Sequence, residues 1–143
     1  LRDELHLPGM KILQFAYDGD PANEFLPHRY PENCVVYTGT HDNDPVLGWY
    51  RSASWAERLR ARRSLRACGP ARTIPRRMIA VAWRSRAITA VAQLQDVLGL
   101  GSEARMNIPS TPSGNWRWRF GEGDLTARTA AWLRTLNEKT GRS

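Results

Sequence analysis

The chain has 143 residues, 41% hydrophobic and 24% charged, a globular composition that supports one buried core and excludes a disordered segment. No apolar run approaches the roughly 18 residues of a membrane span, so no membrane partner is expected. The net charge of +7, from 21 basic and 14 acidic side chains, is concentrated between Arg51 and Arg86. Aromatic residues interleave that stretch only at Trp55 and Trp83, so it reads as a solvated helix face and no nucleic-acid partner is expected. Cys34 and Cys68 stand far apart without metal-ligand spacing, as free thiols of a reducing cytoplasm would.

In chain order, Leu1–Leu5 has neither an initiator Met nor an apolar leader, and reads as the interior of a helix that began earlier. Pro8-Gly9 then opens an apolar run, Met10–Tyr17, closed by Asp18-Gly19-Asp20-Pro21, which predicts a buried strand. Residues 22–33, rich in Pro, Asn and Glu, form a loop. Cys34–Thr38, β-branched and aromatic, predicts a second strand ending in the polar cluster Gly39–Pro45. Ser54-Trp55-Ala56-Glu57 is a capping box that starts a helix, with Gly69-Pro70 as its stop and Ala61, Leu65 and Cys68 as its buried stripe. Pro75–Ser85 fits a helix with Pro in its first turn, although periodicity leaves Met78–Trp83 open as a strand. Ile88–Leu94 predicts a buried strand, Ser102–Asn115 a polar loop, and the alternation Trp116–Arg119 a short extended piece. Leu125, Thr129, Trp132, Leu133 and Leu136 mark one face of a terminal helix, with Gly141 beyond it. Buried strands separated by helices predict an α/β fold whose parallel sheet is covered on both faces.

In such folds the working residues lie on loops at the carboxyl ends of strands. The first candidate loop is Thr38–Asp44, six of whose residues carry polar side chains. Sugar hydroxyls require many short donors and acceptors at fixed positions, and a carboxylate there can stabilise an oxocarbenium-like transition state. Composition alone fits a turn and helix cap at least as well, and a metal site built on His41, Asp42 and Asp44 is a weaker third option. The second candidate is Gly99–Arg119, with Arg105, Asn107, Ser110, Thr111, Ser113, Asn115 and two tryptophans. Trp and Arg beside small polar residues suit sugar stacking, but indole rings act mostly as hydrophobic payload, so Trp116 and Trp118 read first as packing, one on the core and one on a rim.

Longer strings carry a resemblance. Pro8–Tyr17, Leu26-Pro27-His28, Tyr30–Asn33, Val35–Asp44 with Gly48-Trp49, Leu94–Asn107 and Ser113–Trp116 together resemble the 4-alpha-glucanotransferases of glycoside hydrolase family 77 (amylomaltases, or disproportionating enzymes). The resemblance implies a (β/α)8 TIM barrel of the α-amylase type. Residues 1–143 would be the C-terminal portion of that catalytic barrel, about the sixth strand onward, with no separate second domain. It implies retaining transfer of α-1,4-glucan segments between maltooligosaccharides, amylose or glycogen, or to glucose, in the cytoplasm and with no cofactor. Asp42 matches the family's transition-state-stabilising carboxylate and His41 the neighbouring residue that holds the reacting sugar. Asn107 and Phe15 match positions lining donor and acceptor subsites. The nucleophile and the acid/base would lie in the upstream part of the same barrel. Asp18, Asp20 and Asp44 are candidates for those roles only if this chain were a complete enzyme. The isolated chain is therefore expected to be inactive. The alternatives are an inactive glucan-binding remnant and, further off, an Arg-rich nucleic-acid-binding module. The sequence departs from the family at Pro45-Val46, where small hydroxyl residues are usual, at Gln93 in place of Pro, and at Ser110 in place of Gly.

Overall fold

A computed structural model describes residues 1, 2 and 4–142. Its frame is a parallel three-stranded sheet, β1 (Gly9–Ile12), β2 (Cys34–Tyr37) and β3 (Thr89–Val91), in that order, with Met10 opposite Val35 and Val36 opposite Ala90. The connection from β2 to β3 holds three helices, α1 (Val46–Ser52), α2 (Trp55–Ser64) and α3 (Ile74–Arg84). After β3 come a short α4 (Leu94–Leu98) and the terminal α5 (Ala127–Thr140). No helix of the described residues is long and apolar enough to cross a membrane.

One sheet face is packed. Val36 and Cys34 point into a core with Leu13, Tyr17, Val46, Tyr50, Ile74 and Met78, all buried. A smaller cluster of Ile79, Val97 and Leu136 holds α5 against α3. Trp83 Nε1 donates to Asn137 Oδ1 (2.7 Å), and Arg142 donates to the carbonyls of Trp83 and Ala87 (2.7 Å each), which pins the end of the chain. The other face departs from the expected two-sided cover: Met10 is 53% and Val91 38% exposed. Apolar side chains on both faces read as burial on both, but no element of the described residues packs over this side.

Several boundaries also differ from the expectation. Met10–Tyr17 is not one strand: β1 ends at Ile12, and Leu13–Tyr17 winds into a 3₁₀ turn that buries Leu13, Gln14, Ala16 and Tyr17 together, which strict alternation could not do. Instead of a helix interior, the first residues form turns and His6 adopts φ 53°; Asp3 of that segment lies outside the described residues. The capping box is present with both bonds, but α2 stops at Ser64 because Arg66 turns left-handed at φ 47°, before Gly69 is reached. Cys68 consequently falls off the stripe and is exposed, while Cys34 is buried in β2. Residues 74–84 are helical, and β3 is a short edge strand rather than a buried one. Trp116–Arg119 forms no strand, since Trp116 sits at φ 61° and breaks the extension. Helix α1 had no separate signal beyond Pro45 at its N-cap. The basic stretch is partly structural: Arg60 Nε donates to Tyr17 O (2.8 Å), and Arg62 Nε donates to Tyr50 Oη (2.6 Å).

Candidate active site

The carboxyl ends of the three strands open on a cavity of about 660 Å³. Its floor is the uncovered sheet face, from Met10, Ile12, Tyr37 and Val91, and its rim is Phe15, Gly39–Asn43, Ala92 and Gln93. Three of the four residues singled out from the sequence, Phe15, His41 and Asp42, line it; the fourth, Asn107, reaches it through Asp42.

Loop 39–45 is shaped from within. Asn43 Oδ1 accepts from Thr40 N–H and from Thr40 Oγ1 (2.8 Å each), and Asn43 N–H donates to Thr40 O (3.0 Å), an Asx-type turn that lifts His41 and Asp42 to the rim. Gly39 leaves room for two side-chain amides: a Cβ there would lie 2.8 Å from Gln14 Nε2 and 2.9 Å from Gln93 Nε2 and would push them aside. Asp42 Oδ1 accepts from Asn107 Nδ2 (2.5 Å) and lies 3.3 Å from His41 Nε2, while its side chain stays 46% exposed to the cavity.

The second candidate loop is stitched onto the first. Arg105 Nη2 donates to Asp42 O (2.7 Å) and Arg105 Nε to Asn107 O (3.0 Å), and Asn107 N–H donates to His41 O (3.1 Å). A single guanidinium thus fixes the backbone under the Asp42–Asn107 pair, the planar-fork geometry that favours Arg over Lys. Trp116 is not core packing: its ring lies 5.1 Å from that of His41, half-exposed, and so walls the histidine on one side. Asn115 Oδ1 accepts from Ile108 N–H (2.9 Å) and stabilises the turn between them.

Asp44 faces away from the cavity. Its Oδ2 accepts from Ser102 Oγ (2.7 Å), its carbonyl accepts from Gln14 Nε2 (2.8 Å), and its Oδ1 is buried without a hydrogen bond. The weaker metal reading fails on this geometry, because Asp44 diverges from His41 and Asp42; among the described residues no group of three His, Cys, Asp or Glu could hold a cation. Asp18 and Asp20 do not line the cavity: each accepts from a backbone amide two residues on. Nothing in the local motifs marked Gln14 or Asp96 as a support of this loop. A partial cue is present at Gln14, a polar side chain set between Leu13 and Phe15.

Against known proteins, the profile of a family described as 4-alpha-glucanotransferase matches residues 1–125. A 4-alpha-glucanotransferase of Thermus thermophilus is 49% identical over 148 residues, covering 99% of this chain and 30% of the relative. One from Synechocystis is 44% identical over 143 residues, covering 99% of this chain and 28% of the relative. A solved amylomaltase from Streptococcus agalactiae, in complex with acarbose, superposes with a TM-score of 0.93 at 31% identity, over 99% of this chain and 29% of that one. The chain therefore spans less than a third of the length of these relatives.

Proposed function

The chain belongs to the 4-alpha-glucanotransferase family, glycoside hydrolase family 77, and from that premise we propose that it supplies one wall of a glucan-transferring active site. In this reading, residues 1–143 form the C-terminal portion of a (β/α)8 barrel, about the sixth strand onward, without a second domain. The whole barrel moves α-1,4-glucan segments between maltooligosaccharides, or onto glucose, with retention of anomeric configuration. A sugar rather than water accepts the glycosyl group, and the two free thiols suit a cytoplasmic setting.

The observation that carries this reading is the Asp42 carboxylate, held at the cavity rim by Asn107 and His41 over the carboxyl ends of parallel strands. As positive charge builds at the anomeric carbon, a fixed and partly desolvated carboxylate stabilises it without reorganising. Asn107 spends one amide proton on Asp42 and so sets the carboxylate plane. His41, braced by Trp116, offers its ring to a sugar hydroxyl. Phe15 supplies an apolar face at the far side of the cavity, suited to a pyranose ring.

Retention requires a nucleophile and an acid/base about 5–5.5 Å apart. Asp42 is the one carboxylate among the cavity-lining residues, so both partners come from the preceding part of the barrel, and the chain by itself transfers nothing. A second reading, a glucan-binding remnant without chemistry, rests on that same single carboxylate.

The test is a maltotriose transfer assay, following glucose and longer oligosaccharides by chromatography. It is run on this chain alone and on a chimera in which the chain replaces the matching segment of the Thermus thermophilus relative. Longer oligosaccharides from the chimera alone support the reading, and Asp42→Asn should then lower turnover by on the order of 100-fold or more. A chimera that binds maltooligosaccharides but makes no longer product favours the remnant. Turnover by the chain alone would overturn the assignment of the missing carboxylates.

A further inference from the structure

Asp96, on α4, is fully buried, and its two carboxylate oxygens are used separately. Oδ2 accepts from Thr38 Oγ1 (2.6 Å), and Oδ1 accepts from Val46 N–H (2.7 Å). Thr38 is the residue before Gly39, where loop 39–45 leaves β2; Val46 is the first residue of α1, where the loop ends. One carboxylate therefore grips both ends of the segment that carries His41 and Asp42, and it does so from an element belonging to the next strand. Nothing in the core demands a carboxylate at that point. A buried one is costly unless its bonds are good, and both of these are short charge-assisted bonds.

We propose that Asp96 is a positioning residue, a clamp that fixes the span and rise of the loop presenting Asp42; the proposal rests on the functional reading given above. The clamp sets the ends of the loop, while Arg105 and Asn107 set its crown. Gln14, which donates to Asp44 O (2.8 Å), and Ser102, which donates to Asp44 Oδ2 (2.7 Å), hold its descending limb. Catalytic electrostatics depend on placement within a fraction of an ångström, so a group that sets the anchor points acts on turnover without touching sugar.

The chemistry of the clamp selects its variants. Asp96→Ala removes both acceptors. Asp96→Asn can still accept from Val46 N–H through its amide oxygen, and its amide nitrogen can donate to the Thr38 hydroxyl, which reverses its role. Thr38→Val removes one of the two bonds with little change of shape.

In the Thermus chimera, Asp96→Ala should lower kcat for maltotriose transfer roughly 10- to 100-fold with KM little changed, and Asp96→Asn should recover most of it. Amide hydrogen exchange at residues 40–44 should quicken in Asp96→Ala while the amides of β2 keep their protection. Full kcat in Asp96→Ala, or an Asn variant as poor as Ala, overturns the clamp. If Asp96→Ala does not fold, Thr38→Val carries the test: an intermediate fall in kcat with faster loop exchange supports the proposal, and no change in either refutes it. If the unsubstituted chimera transfers nothing, the functional reading falls, and loop exchange alone decides the clamp.

Discussion

The charge state of Asp96 gives the sharpest test of the buried structure beneath the site. Burial, opposed by the hydrogen bonds from Thr38 and Val46 and reinforced by the neighbouring Asp44 carboxylate, raises its pKa from 3.8 to about 6. The folded state therefore binds a proton more tightly than the unfolded chain between those values. Stability from this group is fully present below about pH 4 and is lost as pH rises through about 6. The difference corresponds to about 3 kcal/mol. Asp96→Asn keeps the size of the side chain and does not ionise. Urea unfolding followed by circular dichroism at pH 4, 5, 6 and 7, for the chain and this variant, isolates the term, because the other titrating groups are common to both. The stability of the wild type relative to the variant should fall by about 2 kcal/mol from pH 4 to pH 7, the larger part of that difference. A gap that is flat in pH, or that widens in the opposite direction, would show that the carboxylate is not desolvated as the structure has it.

Three further outcomes bear on the site and its frame. A Cβ at Gly48 would press against Asp44 Oδ2 and Ser102 Oγ, so Gly48→Ala should destabilise by about 1–3 kcal/mol and disturb loop 39–45; chemical denaturation reads the first effect and loop hydrogen exchange the second. Ser110 is held at φ 65°, a backbone region that costs an L-residue roughly 1–2 kcal/mol, so Ser110→Gly should be neutral to stabilising despite the flexibility that glycine adds. A clear loss of stability would mean that the Ser110 side chain has a role not seen in this turn. Met78, fully buried in the main core, should cost about 2–5 kcal/mol when cut to Ala; a smaller loss by denaturation would mean that α3 packs loosely on the sheet.

What the sequence made legible was local. The β-branched and aromatic run at Cys34–Tyr37, the capping box at Ser54, and the Gly141 end of α5 are each written in a few adjacent residues. Phe15, His41, Asp42 and Asn107 were legible as a group through the resemblance of the longer motifs, and the cavity and the Asp42–Asn107 bond bring them together. What was not legible depends on partners far along the chain. Asp96 stands 58 residues from Thr38 and 50 from Val46; in the sequence it is an acidic residue in a short helix, with nothing to distinguish it from a solvent-facing one. Helix α2 ended early for a different reason. There the end is local but not carried by glycine: Arg66 takes the left-handed C-cap conformation, Ala67 N–H donates to Arg62 O, and the Arg62 side chain donates to Ala67 O and Gly69 O before the Gly-Pro stop is reached.

The uncovered face of the sheet shows how a correct pattern can mislead about one chain. Strands β1 and β2 alternate between two faces that are both largely apolar: Cys34 and Val36 on one side, Met10, Ile12, Val35 and Tyr37 on the other. Two-sided apolar strands mean two-sided cover. Among the described residues only one face is covered, and both sheet edges, β1 and β3, are unpaired. An open parallel edge beside an apolar face is a surface for pairing, and natural proteins rarely leave one bare. Under the barrel reading proposed above, preceding strands would pair with β1 and β3 and their side chains would fill the floor of the 660 Å³ cavity. The same strands would bring the missing carboxylates up to the rim opposite Asp42. Closing the sheet and completing the site would then be a single event. The chimera that restores transfer should therefore also protect the amides of β3 from hydrogen exchange, and transfer without that protection would separate the two.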